Sequence, residues 1–248
     1  MPLELARTTA ETLSRLHHVL HAANGDEQTL DPAHPATAQQ PFRHSYYAPD
    51  QFFQEQPGGV IQTIYGQRVL RAGTSFFPAL LNSLVQIGGV EPARLMYRFG
   101  QQLGQQEMDA FVPRIEREFE VPFEKMHLGV MLETWWWPYR AKGWGDWRCD
   151  FQHAANGLIL VDIFDSFVAA ALGQTGRCVC DLYAGLFAAL FSRIASRELG
   201  CIELRCASAG APHCQFLIAI PQRIEAATRW REQGHDARAV LKSLGATG

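Results

Sequence analysis

The sequence predicts an α+β domain in which an antiparallel sheet is packed by helices. Three observations carry this. Short apolar stretches at residues 60–64 and 68–71 flank a Tyr65-Gly66 turn. Two late stretches, 201–207 and 214–220, flank a second turn at Ser208-Ala-Gly-Ala-Pro212. Segments with helical spacing of apolar residues lie between these pairs.

The elements follow in order. Leu13, Leu16, Val19 and Leu20 give residues 3–23 an amphipathic helical pattern, and residues 24–50, rich in Pro, Gln, His and Asp, read as a polar arm. After the first hairpin, a helix is expected over residues 76–86, ending at Gly88-Gly89, and a second over residues 92–119 with Leu95, Phe99, Leu103 and Met108 on its buried face. Residues 127–152 read as two strands turning at Gly143 and Gly145, and hold Trp135, Trp136, Trp137, Tyr139, Trp144 and Trp147. Residues 158–172, with Phe164, Phe167 and Val168, read as a helix. Another starts at Cys180 or Asp181, where an acidic residue suits a helix N-terminus, and its Leu182, Tyr183, Leu186, Phe187 and Leu190 with the opposing Ala184, Gly185, Ala188 and Ala189 predict packing on both faces. A polar helix from near Arg223 follows the final strand pair.

The whole-chain balance narrows the function classes. A length of 248 residues suits one large domain or two small ones, and 47% hydrophobic with 19% charged residues is ordinary for a soluble globular protein. A net charge of -3 offers no broad basic surface for nucleic acid, and neither a helix-turn-helix signature nor a GxxxxGK[ST] phosphate loop is present. The N-terminus lacks the basic-then-apolar layout of a signal peptide. The longest apolar run, residues 158–174, is interrupted by Asp162 and Asp165, so no membrane span is expected and a cytoplasmic location is. In that reducing setting the six cysteines favour metal binding or free thiols over disulfides.

Four residues concentrate the chemistry. Cys180, Glu203, Cys206 and Cys214 supply three thiolates and a carboxylate, a full ligand set for a tetrahedral zinc ion. Cys206 and Cys214 flank the second turn, so a hairpin brings their sulfurs together, while a helix start at Cys180 favours its thiolate. Glu203 lies three residues before Cys206, an offset that points the two to opposite faces of a flat strand unless a bulge intervenes. Four protein ligands leave no open water position, so such an ion is structural; Arg177 and Arg205 are in place to offset its charge, and His213 is a competing ligand. The spacing equally allows thiols buried beside a strand without metal. Cys149, Cys178 and Cys201 fall outside the set.

Aromatic residues supply candidate walls for a pocket holding a small, mostly apolar molecule: Trp135, Trp137, Trp147, Phe164, Phe167, Tyr183 and Phe187, with His127 as a polar anchor. The same residues also suit a plain core. No GxGxxG dinucleotide fingerprint and no further cysteine set for an iron–sulfur cluster accompany them, so the reading leans away from an enzyme.

The run Cys180-x22-Glu203-x2-Cys206-x7-Cys214, followed by Gln-Phe-Leu-Ile, resembles the 4-vinyl reductase domain family. That family includes the sensor domains of phenol- and xylene-responsive bacterial activators and a bacteriochlorophyll-biosynthesis protein. The likeness is good over residues 175–220 and extends weakly back to residue 75, through Gly89-Val-Glu-Pro-Ala-Arg-Leu-Met-Tyr-Arg-Phe-Gly100. It implies a structural Zn²⁺ on Cys180, Glu203, Cys206 and Cys214, a small apolar or aromatic ligand, and a homodimer. The phenol sensors hold the phenol hydroxyl with a His and a Trp upstream of the first Cys; the stretch before Cys180 does not align with them, and neither role is carried over. The chain thus divides into an N-terminal helix and polar arm (1–58), a 4-vinyl reductase-like ligand-binding domain (59–222) and a C-terminal helical tail (223–248). The function expected is a zinc-containing ligand-binding domain with a regulatory or auxiliary role. The alternatives are an auxiliary factor in tetrapyrrole biosynthesis and a dimeric protein–protein adaptor.

Overall fold

A computed structural model describes residues 49–89 and 91–246. The helix expected over residues 3–23, and the arm up to residue 48, lie outside them. One helical turn, α1 (Pro49–Phe52), leads into a three-stranded antiparallel sheet of β1 (Phe53–Gln56), β2 (Val60–Thr63) and β3 (Arg68–Val69). The β2–β3 hairpin is the one expected: Gly66 takes φ +78°, its N–H donates to the Thr63 carbonyl at 2.8 Å, and Ile61 pairs with Val69. Helices α2 (Phe76–Gly88) and α3 (Pro92–Phe119) match their expected ranges closely, α2 closing on a left-handed Gly89.

The remaining elements are α4 (Leu128–Ala141), β4 (Asp146–Asp150), β5 (Ile159–Phe164), α5 (Phe167–Leu172), α6 (Asp181–Ala195), β6 (Gly200–Arg205), β7 (Cys214–Ala219), α7 (Pro221–Glu232) and α8 (Ala237–Ser243). Strands β4 to β7 form a second antiparallel sheet in the order β4-β5-β7-β6. An α+β fold with antiparallel sheets packed by helices is therefore present, as expected.

This second sheet is covered on both faces, and the period-2 alternation of its strands shows how. Val161, Ile163, Phe216 and Ile218 enter the main core with α3, α4 and α6. Leu158, Leu160, Leu217 and Ala219 point the other way, onto Ala227 of α7 and Ala237 and Val240 of α8. The polar C-terminal helix of the sequence reading thus packs its few apolar residues against the sheet.

Two expectations are overturned here, both for physical reasons. Residues 158–172 are not one helix but the central strand β5, a left-handed Asp165 (φ +53°), and the short α5, whose Ser166 side chain accepts the Ala169 N–H at 3.2 Å. A strand buried on both faces reads as a continuous apolar run, which periodicity cannot separate from a helix. Residues 128–141 are helix α4, not a strand. Leu128, Met131, Leu132, Trp135, Trp136 and Tyr139 are all buried at helical spacing, a pattern that the strand preference of aromatic residues masked. Gly143 (φ +83°) and Gly145 (φ +106°) do make a turn, between α4 and β4. A Cβ at Gly145 would lie 2.5 Å from the Phe164 carbonyl oxygen, so β4 leaves this turn against the end of β5 only with glycine there.

Helices α3 and α6 cross in backbone contact at the centre of the core. A Cβ at Gly185 would lie 2.0 Å from the Tyr97 carbonyl oxygen, and one at Gly100 2.1 Å from that of Leu182. This close crossing leaves α6 buried along most of its length and fixes Cys180 at its start.

Candidate functional site

Cys180 is the N-cap residue of α6, Cys206 ends β6 at the head of a one-turn 3-10 helix (Ala207–Ala209), and Cys214 opens β7. Glu203 lies within β6, where the pairing with β7 shifts between Glu203 and Arg205. That irregularity removes the offset conflict: Glu203 and Leu204 are both buried, breaking the alternation of the strand. All four residues are buried, and their ligand atoms lie within 4.8 Å of one another.

The distances fit a metal ion. The three sulfurs are separated by 3.6 Å (Cys180–Cys214), 3.8 Å (Cys180–Cys206) and 3.9 Å (Cys206–Cys214). A tetrahedron with metal–sulfur bonds of about 2.3 Å has edges of about 3.8 Å, whereas a disulfide brings two sulfurs to about 2.05 Å. Glu203 Oε2 accepts the Cys180 backbone N–H at 2.9 Å, and Glu203 Oε1 is buried with no hydrogen-bond partner. A buried carboxylate oxygen left without a donor is costly unless a cation meets it. The Ala207 N–H donates to Cys214 Sγ at 3.4 Å, which stabilises charge on that sulfur.

The electrostatics describe one negative charge shared among thiols. Hydrogen bonds from Cys178, then Cys180 and Cys214, hold the Cys206 thiol far below its usual range. Hydrogen bonding to Cys206 and Cys214, then burial, holds Cys180 well above its own. Burial, then the charge on Cys206, pushes the Glu203 carboxyl up to about 8. The metal-free cluster therefore carries protons that a bound dication would displace.

Cys178 is the member that the sequence reading left out. Its thiol bonds to Cys206, which raises it along with burial, and it stands half-buried at the edge of the cluster. The signal was the Cys178-x-Cys180 spacing, two thiols on one loop ahead of α6. His213 does not join: its Nε2 pairs with Asp162 Oδ1 at 3.4 Å and its ring packs on Phe164. Arg177 and Arg205 are exposed, and the arginine brought to the cluster is Arg231, which donates to the Glu203 carbonyl.

The aromatic candidates divide. Trp135, Trp147, Tyr183 and Phe187 come together around Trp136, which stacks on Trp147 at 4.9 Å between centroids and donates its indole N–H to the Gly145 carbonyl at 3.2 Å. Trp137, 100° further round α4, packs on Phe52 instead and ties the small sheet to the body. Phe167 packs on Trp144, Phe77 and Tyr183, and Phe164 on His213. His127 is the exposed N-cap residue of α4.

Other residues line a cavity of about 530 Å³ at the opposite end of the sheet. Its walls come from the last turn of α6 (Phe191, Ile194), the sheet (Ile159, Ile218), Leu128 and Leu199, and the turn at residues 154–157. Sequence patterns did not reveal it, because its lining comes from six separate segments, each contributing one or two ordinary apolar residues.

Residues 159–220 match the vinyl-4-reductase domain family. This span holds β5 through β7 and all four cluster residues. Among solved structures, the phenol-responsive sensory domain of the transcription activator PoxR with phenol is similar in fold, with a TM-score of 0.53 at 22% identity, covering 68% of this chain and 85% of that one. A vinyl-4-reductase family protein from Methanocaldococcus jannaschii matches with a TM-score of 0.43 at 14% identity, over 60% of this chain and 82% of that one. A trafficking protein particle complex subunit 3 from Naegleria fowleri, covalently bound to palmitic acid, matches with a TM-score of 0.44 at 9% identity, over 59% of this chain and 93% of that one. The chain matches no curated protein. Its fold, its buried cluster and the match over residues 159–220 agree: the chain carries a vinyl-4-reductase domain.

Proposed function

We propose that the chain is a ligand-binding domain, regulatory or auxiliary in role, that is stapled by a structural zinc and takes a small apolar or aromatic molecule. The cavity of about 530 Å³ carries this reading, since its size falls in the range of small-molecule sites and its walls are mainly apolar. The fold likeness to a phenol-responsive sensory domain supports it. Zinc is the cation that best suits three thiolates and one carboxylate at these separations, held by Cys180, Glu203, Cys206 and Cys214. With its shell closed by protein ligands, zinc supplies a crosslink between α6, β6 and β7. Among the described residues no helix is long and apolar enough to cross a membrane.

A homodimer belongs to the same reading. Phe76, Leu80, Leu84 and Ile87 run along one side of α2 with Phe99 of α3 beside them, and Ile87 is 86% exposed. An apolar stripe of this kind on two neighbouring helices suits a self-complementary contact. Light scattering of the purified protein at twice the chain mass supports it; a monomer at all concentrations removes it.

The ligand reading is tested by native mass spectrometry of protein from its own host, alongside Ala195→Phe, which places a ring in the cavity from the end of α6. A small-molecule adduct on the wild type that is lost in the variant is the expected result. An adduct retained equally by both overturns the assignment to this cavity.

A further inference from the structure

The cavity is apolar inside but its polar lining is one-sided. Among its lining residues are two arginines, Arg197 and Arg223, and no aspartate or glutamate. Arg223 Nη1 donates to the Asn156 carbonyl across the opening, which fixes the guanidinium at the rim with donors to spare. Arg197 has no ion-pair partner among the described residues. The N-terminus of α7 opens on the same space, through Ile220 and Arg223, and has no side-chain cap. Its unpaired N–H groups add positive potential there. Positive charge on an apolar cavity with no acid to neutralise it is costly to leave unmatched, and a guanidinium recognises a carboxylate through paired donors.

We infer that the ligand of this cavity is an amphipathic anion, an apolar body with a carboxylate held at the rim by Arg197 and Arg223. This rests on the reading of the cavity as a ligand site and names the chemical class that it takes. The apolar body lies against Phe191, Ile194, Ile159 and Ile218, and the carboxylate stays at the solvent edge, where its desolvation cost is small.

Calorimetry with matched probes tests this: 2-naphthoate and octanoate against the neutral 2-naphthylmethanol and octan-1-ol, at pH 7.5. The wild type is expected to bind at least one acid about tenfold more tightly than its alcohol. Arg197→Gln should lower acid binding about tenfold while leaving the alcohol within about twofold, and Arg197→Lys should restore part of the loss. The melting temperature of Arg197→Gln, a half-buried loop residue, checks that the variant is folded. If the alcohols bind as tightly as the acids, and all binding is lost in Ala195→Phe, the anion inference fails while the cavity reading stands. If no probe binds, both fall.

Discussion

The backbone N–H of Cys180 donates to one oxygen of Glu203 at 2.9 Å, while the other oxygen of the same carboxylate is buried with no partner. The first contact pins Glu203 to the start of α6. The second oxygen faces a group of three sulfurs at tetrahedral separations. Glu203→Gln keeps the size and an acceptor for the Cys180 N–H but gives up the charge. It should lower zinc affinity by about tenfold or more, since a neutral amide is a poor zinc ligand. Competition against a chromogenic chelator measures this; unchanged affinity would remove Glu203 from the ligand set.

Stability of the metal-free protein should fall as pH rises. Burial, then the Cys206 thiolate, pushes Glu203 up to about 8 in the folded chain, above the value of about 4.3 in an unfolded one. The folded state therefore holds this proton more tightly, so its contribution is fully present below pH ~4.3 and is lost toward pH ~8. Urea denaturation of chelated protein at pH 5 and pH 8 should show the loss, and Glu203→Gln should flatten it. Zinc affinity should move the other way over the same window, because binding displaces protons from these groups.

Cys178 should tune the centre without being essential to it. Its thiol bonds to the Cys206 sulfur from outside the four-residue set. Cys178→Ala is expected to retain zinc with an affinity about tenfold lower, the usual effect of removing an outer partner of a metal ligand. Complete loss of metal would instead make Cys178 a ligand.

The α3–α6 crossing should tolerate no side chain. Gly185→Ala places a methyl 2.0 Å from the Tyr97 carbonyl oxygen, where only movement of a helix backbone makes room. The expected cost is about 1–3 kcal/mol, a fall in melting temperature of roughly 2–4 °C per kcal/mol for a chain of this size. A melting temperature equal to that of the wild type would show that the helices do not touch there.

Much of this architecture is legible in the sequence where local signals agree. The β2–β3 hairpin, the two long helices and the β6–β7 pair each have a turn or a cap that marks their ends, and the four cluster residues stand out by side-chain chemistry. The failures come where burial overrides local preference. Three consecutive tryptophans look like a strand, yet Trp135 and Trp136 face the core of a helix while Trp137 faces the small sheet. Strand β5 lies between two apolar layers and loses its alternation. The cavity and the Cys178–Cys206 contact depend on tertiary juxtaposition, which no spacing rule within one segment encodes.

The metal centre is tested most directly by metal content. Inductively coupled plasma mass spectrometry of protein purified without added metal should find about one zinc per chain, and none on folded or soluble Cys206→Ala, which should also melt at a lower temperature. A wild type that carries no zinc, and whose stability neither zinc nor chelator changes, would contradict the account.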